Sequence, residues 1–209
     1  MKKLILLLIA SFFITIISAQ QKALTEKGEE VILFEDGTWK YQNNAPDTSE
    51  IFFNPKEITK EANATFLLKS SKVNVGFWLN PKVWTFKKAT TNQAAEYEFK
   101  LKEGDLYGMV LAEQAEIPLE TLRSIALQNG RAFAPDLTIT KQEYRKVNGL
   151  KVLLLQMDGT AQGIKLSYLG YYFSTTNGTV QFITYTTSNL IAEYRNRCES
   201  LLNGLVLIN

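Results

Sequence analysis

Between Leu137 and Thr187 the chain carries Asn148-Gly149, Asp158-Gly159 and Asn177-Gly178, and these dipeptides constrain its folding more than any other feature. A two-residue type I′ hairpin turn needs positive φ at both central positions, which Asn, Asp and Gly reach at the lowest cost. The stretch is therefore expected to form four consecutive strands: Leu137–Val147, Leu150–Met157, Ile164–Thr175 and Thr179–Thr187. Asp158-Gly159 is expected to open the second connection, which runs through Ala161 to Gly163. Between the turns the residues are β-branched and aromatic, as strands prefer.

These strands are apolar on both faces. Leu153 and Leu155 point one way, Val152 and Leu154 the other; Val180 and Phe182 oppose Ile183 and Tyr185 in the same sense. A strand apolar on both faces is covered on both faces. Helices, or a helix and another layer, are expected on each side of an antiparallel sheet. Gly170 interrupts the third strand and marks a bulge or a close backbone approach.

Two helices suit that role. Pro118–Asn129 starts on a proline and ends before Gly130, which suits the C-terminal cap, with Leu119, Leu122, Ile125 and Ala126 on one stripe. Asn189–Asn203 follows Ser188 or Asn189 as N-cap, and Ile191, Tyr194, Cys198, Leu201, Leu202 and Leu205 form its apolar stripe. Further strands are expected at Phe66–Leu68, at Val73–Leu79, at Trp84–Phe86, and in a hairpin of Ala94–Lys102 with Leu106–Glu113. Runs of antiparallel strands with packed helices make an α+β domain.

The N-terminal part has a different character. Lys2 and Lys3, the apolar run Leu4–Ile17 and the small pair Ser18-Ala19 have the three parts of a secretory signal peptide over residues 1–19. The apolar run is shorter than the roughly 20 residues a membrane span needs. An exported protein, periplasmic or secreted, is expected, with no stable membrane span after cleavage. Residues 20–42 read as a mobile lead-in followed by a β-hairpin, Glu29–Phe34 with Thr38–Gln42, turning at Asp36-Gly37. This hairpin resembles one found at the start of many exported proteins of Bacteroidetes type. Residues 43–64, with Pro46 and Pro55, read as a linker before a main domain at 65–209.

Composition removes several chemistries. Of the 23 Lys and Arg, Lys2 and Lys3 lie in the leader, which leaves 21 to balance 21 Asp and Glu. A neutral mature chain lacks the electrostatic footprint of a nucleic-acid binder. The sequence has no His, so His-based triads and the common zinc sites are impossible. The single Cys198 lies on the apolar stripe of the last helix, where a thiol behaves as a small buried hydrophobe. No calcium loop or phosphate-binding glycine loop is present, so neither metal nor cofactor is expected. Glu96 and Glu98 alternate with Tyr97 and Phe99 and look like the solvated face of a strand.

The order of elements, together with the stretch 147–160 (VNGLKVLLLQMDGT), the segment 169–174 (LGYYFS) and the closing 201–205 (LLNGL), resembles the PsbP-like superfamily over residues 65–207. That superfamily includes the extrinsic photosystem II protein PsbP, a eukaryotic Ran-binding import factor and the bacterial DcrB-like envelope proteins. The resemblance implies a central antiparallel sheet flanked by helices, and a binding or accessory module rather than a catalyst. The family has no shared catalytic set, so no functional residue carries over.

Aromatic residues are then the candidate contacts. Trp39 and Tyr41 must dock on the main domain or on a partner, because an isolated hairpin is at best marginally stable. Trp78, Trp84 and Tyr107 are candidates to line an apolar cleft, and Tyr168, Tyr171 and Tyr172 crowd one strand that presents two faces. Core packing is the competing role for each. The reading that follows is an exported, non-enzymatic module acting through an envelope protein partner. Its competitors are a carrier or sensor of a small apolar ligand in an aromatic cleft, and a His-independent hydrolase.

Overall fold

The computed structural model describes residues 21–25, 30–34, 37, 39–41, 51–90 and 92–208. The expected leader and residues 43–50 of the expected linker lie outside the described residues.

A mixed eight-stranded sheet organises the chain. Its strands are β4 (Phe53–Ile58), β7 (Trp84–Lys88), β8 (Ala95–Leu101), β9 (Tyr107–Glu113), β10 (Thr138–Val147), β11 (Leu150–Ala161), β12 (Ile164–Thr175) and β13 (Gly178–Thr187). They lie in the order β4-β10-β11-β12-β13-β9-β8-β7. Every pairing is antiparallel except that of β4 with β10, so the sheet is not purely antiparallel as expected. β4 also places a strand inside the segment read as a linker. Pro55 disguised it in the sequence, but an edge strand tolerates a proline, and the register slips between Arg145 and Lys146 opposite it.

The expected hairpins form, with two turns moved. Asn148 and Gly149 have φ of 48° and 81°, the positive values a type I′ turn requires. Asp158-Gly159 is no turn: both lie inside β11, and the chain reverses at Gln162-Gly163, with φ of 50° and 79°. The Asp158 carboxylate accepts hydrogen bonds from Thr140 (2.5 Å), Ser167 and Gln156, so the residue serves between strands rather than at a bend. The third reversal runs through Thr176 and Asn177, with Thr175 opposite Gly178.

One face of the sheet is thickly covered. Helix α2 (Ile191–Leu202) supplies Cys198, Leu201 and Leu202. Beside it a second sheet of order β14-β6-β5 is made by β5 (Phe66–Lys69), β6 (Val75–Leu79) and β14 (Leu205–Leu207). Val75, Phe77, Leu79 and Leu205 from this sheet pack with Phe99, Val110, Leu154, Leu169, Tyr171 and Phe182 in one buried cluster. Each such side chain contributes roughly 1.5–3 kcal/mol by leaving water. Gly204 is required at the junction, because a Cβ there would overlap the Trp78 carbonyl; the Trp78 amide in turn donates to the Gly204 carbonyl at 2.8 Å.

Among the described residues the other face carries one helix, α1 (Leu119–Arg131), which buries Leu122 and Ala126 over Leu153, Leu155, Tyr172 and Ile183. The fold is thus dominated by sheet, not symmetrically flanked by helices. Gly130 was expected as a C-terminal cap but falls inside the last turn of α1, where a Cβ would collide with Leu137. Ser188 does not cap α2 either; its hydroxyl meets Ser167, and Leu190 takes the cap position.

Near the N-terminus, β1 (Gln21–Leu24), β2 (Glu30–Leu33) and β3 (Trp39–Tyr41) form a three-stranded sheet with β2 in the middle. The hairpin was expected; the strand at Gln21–Leu24, read as mobile lead-in, was not. Its Gln-Lys-Ala-Leu sequence has little strand propensity, and pairing with β2 overrides that.

Candidate functional site

Strand parity decides where the candidate aromatics go. Trp84 pairs with Leu101 and points into the α2-side core, where it is buried. Tyr107 pairs with Lys100, one step out of phase, and points to the opposite face. Trp78 is half-buried on β6, with the Lys60 ammonium 4.9 Å from its ring centre. Trp78, Trp84 and Tyr107 therefore do not line one cleft.

Tyr168, Tyr171 and Tyr172 divide in the same way. Tyr171 faces α2, and its hydroxyl accepts from Arg145 at 3.1 Å and donates to Asn203 at 2.8 Å. Tyr168 and Tyr172 face α1. Tyr168 lies opposite Tyr185, which lies opposite Tyr107, so three half-exposed rings cross adjacent strands in one row. Ring centres are 5.9 Å apart for Tyr168–Tyr185 and 5.6 Å for Tyr107–Tyr185, the latter pair stacked at 22°. Such offset arrangements are the favoured aromatic contacts. The Lys100 ammonium stands 5.7 Å from the Tyr107 ring at the open end. Burial raises the phenol pKa of Tyr168 and of Tyr185, where Glu98 adds to the effect. Tyr185 was not among the sequence candidates; the two-residue loop Thr176-Asn177 is the signal that sets it across from Tyr168.

Tyr172 is different from its neighbours. It is wholly buried and its hydroxyl has no hydrogen-bond partner among the described residues. Leaving such a group unpaired costs about 1–3 kcal/mol. The tip of its ring lies over Gly170: a Cβ there would stand 3.3 Å from Tyr172 Cε2 and 3.2 Å from Ile183 Cγ1. The glycine read as a sign of close approach is thus the floor under this ring.

Charged groups on the sheet are engaged within the fold. Arg145, on β10 and only 7% exposed, contacts Glu143 at 2.5 Å and Glu199 of α2 at 3.4 Å. Burial disfavours its cation, but Tyr171, Glu143 and Glu199 outweigh that and hold the charge in place. Glu96 was expected on a solvated face but is 8% exposed. It sits at a register shift between Ala95 and Tyr97, which turns it inward, and it accepts from Ser70 Oγ at 2.6 Å, Ser71 N at 2.6 Å and Ser71 Oγ at 2.8 Å. Glu98 remains outside and pairs with Lys87 at 3.0 Å. On the α1 side, Tyr144 donates to Glu120 at 2.5 Å, which lowers the Glu120 pKa. Among the described residues no group of three or more acidic or Cys side chains has metal-holding geometry, and no helix is long and apolar enough to cross a membrane.

At the other end of the chain, Trp39 and Tyr41 stand in edge-to-face contact with ring centres 5.2 Å apart. They are 52% and 39% exposed.

Comparison with known proteins identifies the fold. No protein-family model matches the chain, and no curated protein matches it in sequence. Among solved structures, cyanobacterial PsbP from Synechocystis is similar with a TM-score of 0.54 at 11% identity, over 70% of this chain and 94% of that one. LpqN of Mycobacterium tuberculosis, described as involved in cell envelope biogenesis, gives a TM-score of 0.46 at 7% identity, over 69% of this chain and 90% of that one. A Pseudomonas aeruginosa protein of unknown function gives 0.44 at 13% identity, over 69% and 97%. The chain has a PsbP-like fold.

Proposed function

We propose that the chain is an exported, non-catalytic accessory module that works through a protein partner in the cell envelope. The observation that carries this reading is the exposed Trp39–Tyr41 pair on the N-terminal sheet. Large aromatic side chains left in water are costly for a monomer and are the usual anchors of protein interfaces. β3 also lies at the edge of its sheet, a position from which a strand can pair with another chain. The charged groups described above support the non-catalytic part of the reading. Arg145, Glu96 and Glu120 each spend their hydrogen bonds on holding a helix or loop, so none is presented to a substrate.

Native mass spectrometry of the protein isolated from its own envelope tests the proposal. A complex containing a second protein is expected with the natural chain and is expected to disappear with Trp39→Ser/Tyr41→Ser. A second protein retained equally by that variant, or a bare chain in both preparations, would overturn it.

A further inference from the structure

Tyrosines that sink into this fold find partners. Tyr97 donates to the Lys69 carbonyl at 3.0 Å, Tyr144 to Glu120 and Tyr171 to Asn203, and the Tyr194 hydroxyl accepts from the Asp105 amide at 3.4 Å. Tyr172 alone among these buried rings keeps an unpartnered hydroxyl. Packing does not explain it, since phenylalanine would fill the same space without burying a polar group.

Its surroundings explain it better. The α1 side of the sheet is the thin side of the molecule. Leu119 and Leu127 of α1, Met109 and Leu111 of β9, Ile139 and Tyr168 are only partly buried there. From Tyr172 the ring tip leads over Gly170 toward Tyr168, and Tyr168 begins the half-exposed row that continues through Tyr185 to Tyr107. The buried donor and the half-exposed row therefore share one face of β12, with Gly170 and Ile183 between them. Met109 borders it, and an unbranched thioether shifts easily to admit a ligand.

We infer that this face binds a small, neutral, apolar ligand whose carbonyl or ether oxygen accepts a hydrogen bond from Tyr172 Oη. A neutral acceptor fits because the cluster around the hydroxyl is apolar, and an unpaired carboxylate would be heavily penalised there. Burial raises the Tyr172 pKa, so the phenol keeps its proton and remains a donor at neutral pH. This site lies on the large sheet and is independent of the hairpin proposed to hold a protein.

Benzophenone, a neutral diaryl ketone that inserts into nearby C–H bonds on irradiation, is a direct probe of the purified protein. Saturable labelling is expected, mapped by mass spectrometry to the β9, β12, β13 or α1 segments. Tyr172→Phe is expected to weaken it by about fivefold, the weight of one hydrogen bond. The melting temperature of Tyr172→Phe without ligand is expected to stay or rise, because an unpaired hydroxyl has been removed. Trp39→Ser/Tyr41→Ser is expected to label normally, which separates this site from the partner surface. Labelling that is absent, or equal in Tyr172→Phe, would overturn the inference. So would a clear fall in the melting temperature of that variant, since the hydroxyl would then have a structural partner, a bound water included.

Discussion

Asn148 does more than make a turn. Its amide donates to the Ile58 carbonyl at 2.8 Å, its Oδ1 accepts from Lys60 at 2.9 Å, and its Nδ2 donates to the carbonyls of Asn203 and Leu205, both at 2.8 Å. One residue thus ties the β10–β11 turn to the end of β4 and to the segment that follows α2. Asn148→Gly keeps access to positive φ but removes the side-chain bonds. It is expected to lose about 2–4 kcal/mol, with several part-buried partners left unpaired, measured by urea denaturation. Cys198 is the opposite case: it is fully buried, and burial raises its thiol pKa. Cys198→Ala is expected to fold normally and to lose only about 1 kcal/mol. The native thiol is expected to react with a maleimide only after denaturant is added. Rapid labelling of the folded chain would contradict the burial described.

Each helix is fastened to the sheet in its own way. α2 rests on an apolar stripe and is also held by Arg145, which reaches Glu199 from the sheet. Removing one member of a buried ionic network leaves the others unpaired, so Arg145→Ala is expected to cost about 3–5 kcal/mol. Hydrogen exchange is expected to show the loss first in α2. α1 has less apolar contact and leans on the Tyr144–Glu120 hydrogen bond. The folded Glu120 pKa is lowered, so the stability it lends is present above the ordinary carboxylate value of 4.5 and is lost as pH falls below it. Amide protection in α1 is expected to drop on acidification before that in α2. Tyr144→Phe is expected to remove this difference in pH response. No change in α1 protection on acidification would show that the bond does not anchor it.

At the scale of the whole molecule, the buried phenols set an alkaline limit. Burial raises the pKa of Tyr97, Tyr144, Tyr171 and Tyr172 above the ordinary value of 10, with Glu120 reinforcing it at Tyr144 and Arg145 opposing it at Tyr171. A phenol that holds its proton more tightly when folded stabilises the fold fully below that value and progressively less above it. Phenolate absorbance from these residues is therefore expected to appear together with loss of circular dichroism, not before it. How far the sequence alone reaches is shown by the central strands. The two-sided apolar strands, the Asn148-Gly149 turn and the α2 stripe are local patterns, and periodicity of side chains makes local patterns legible. So are the strand expected at Val73–Leu79, which forms over Val75–Leu79, and the burial of Cys198. What stayed hidden depends on which distant segments meet. β4 pairs with the remote β10, Phe53 opposite Tyr144, despite its proline, Glu96 turns inward at a bulge, and the layer beside α2 is a sheet that Leu205–Leu207 joins from the end of the chain. The same holds for the candidate site. Tyr168 and Tyr172 were visible as residue types, but strand parity separated them from Tyr171, and register brought Tyr107 and Tyr185 alongside. The sequence by itself determined the run of strands and the two helices, because side-chain periodicity and turn chemistry act within a few residues. The tertiary structure decided which aromatics face a core, which face solvent and which hydroxyl is left without a partner, because register and face are set only when remote strands pair.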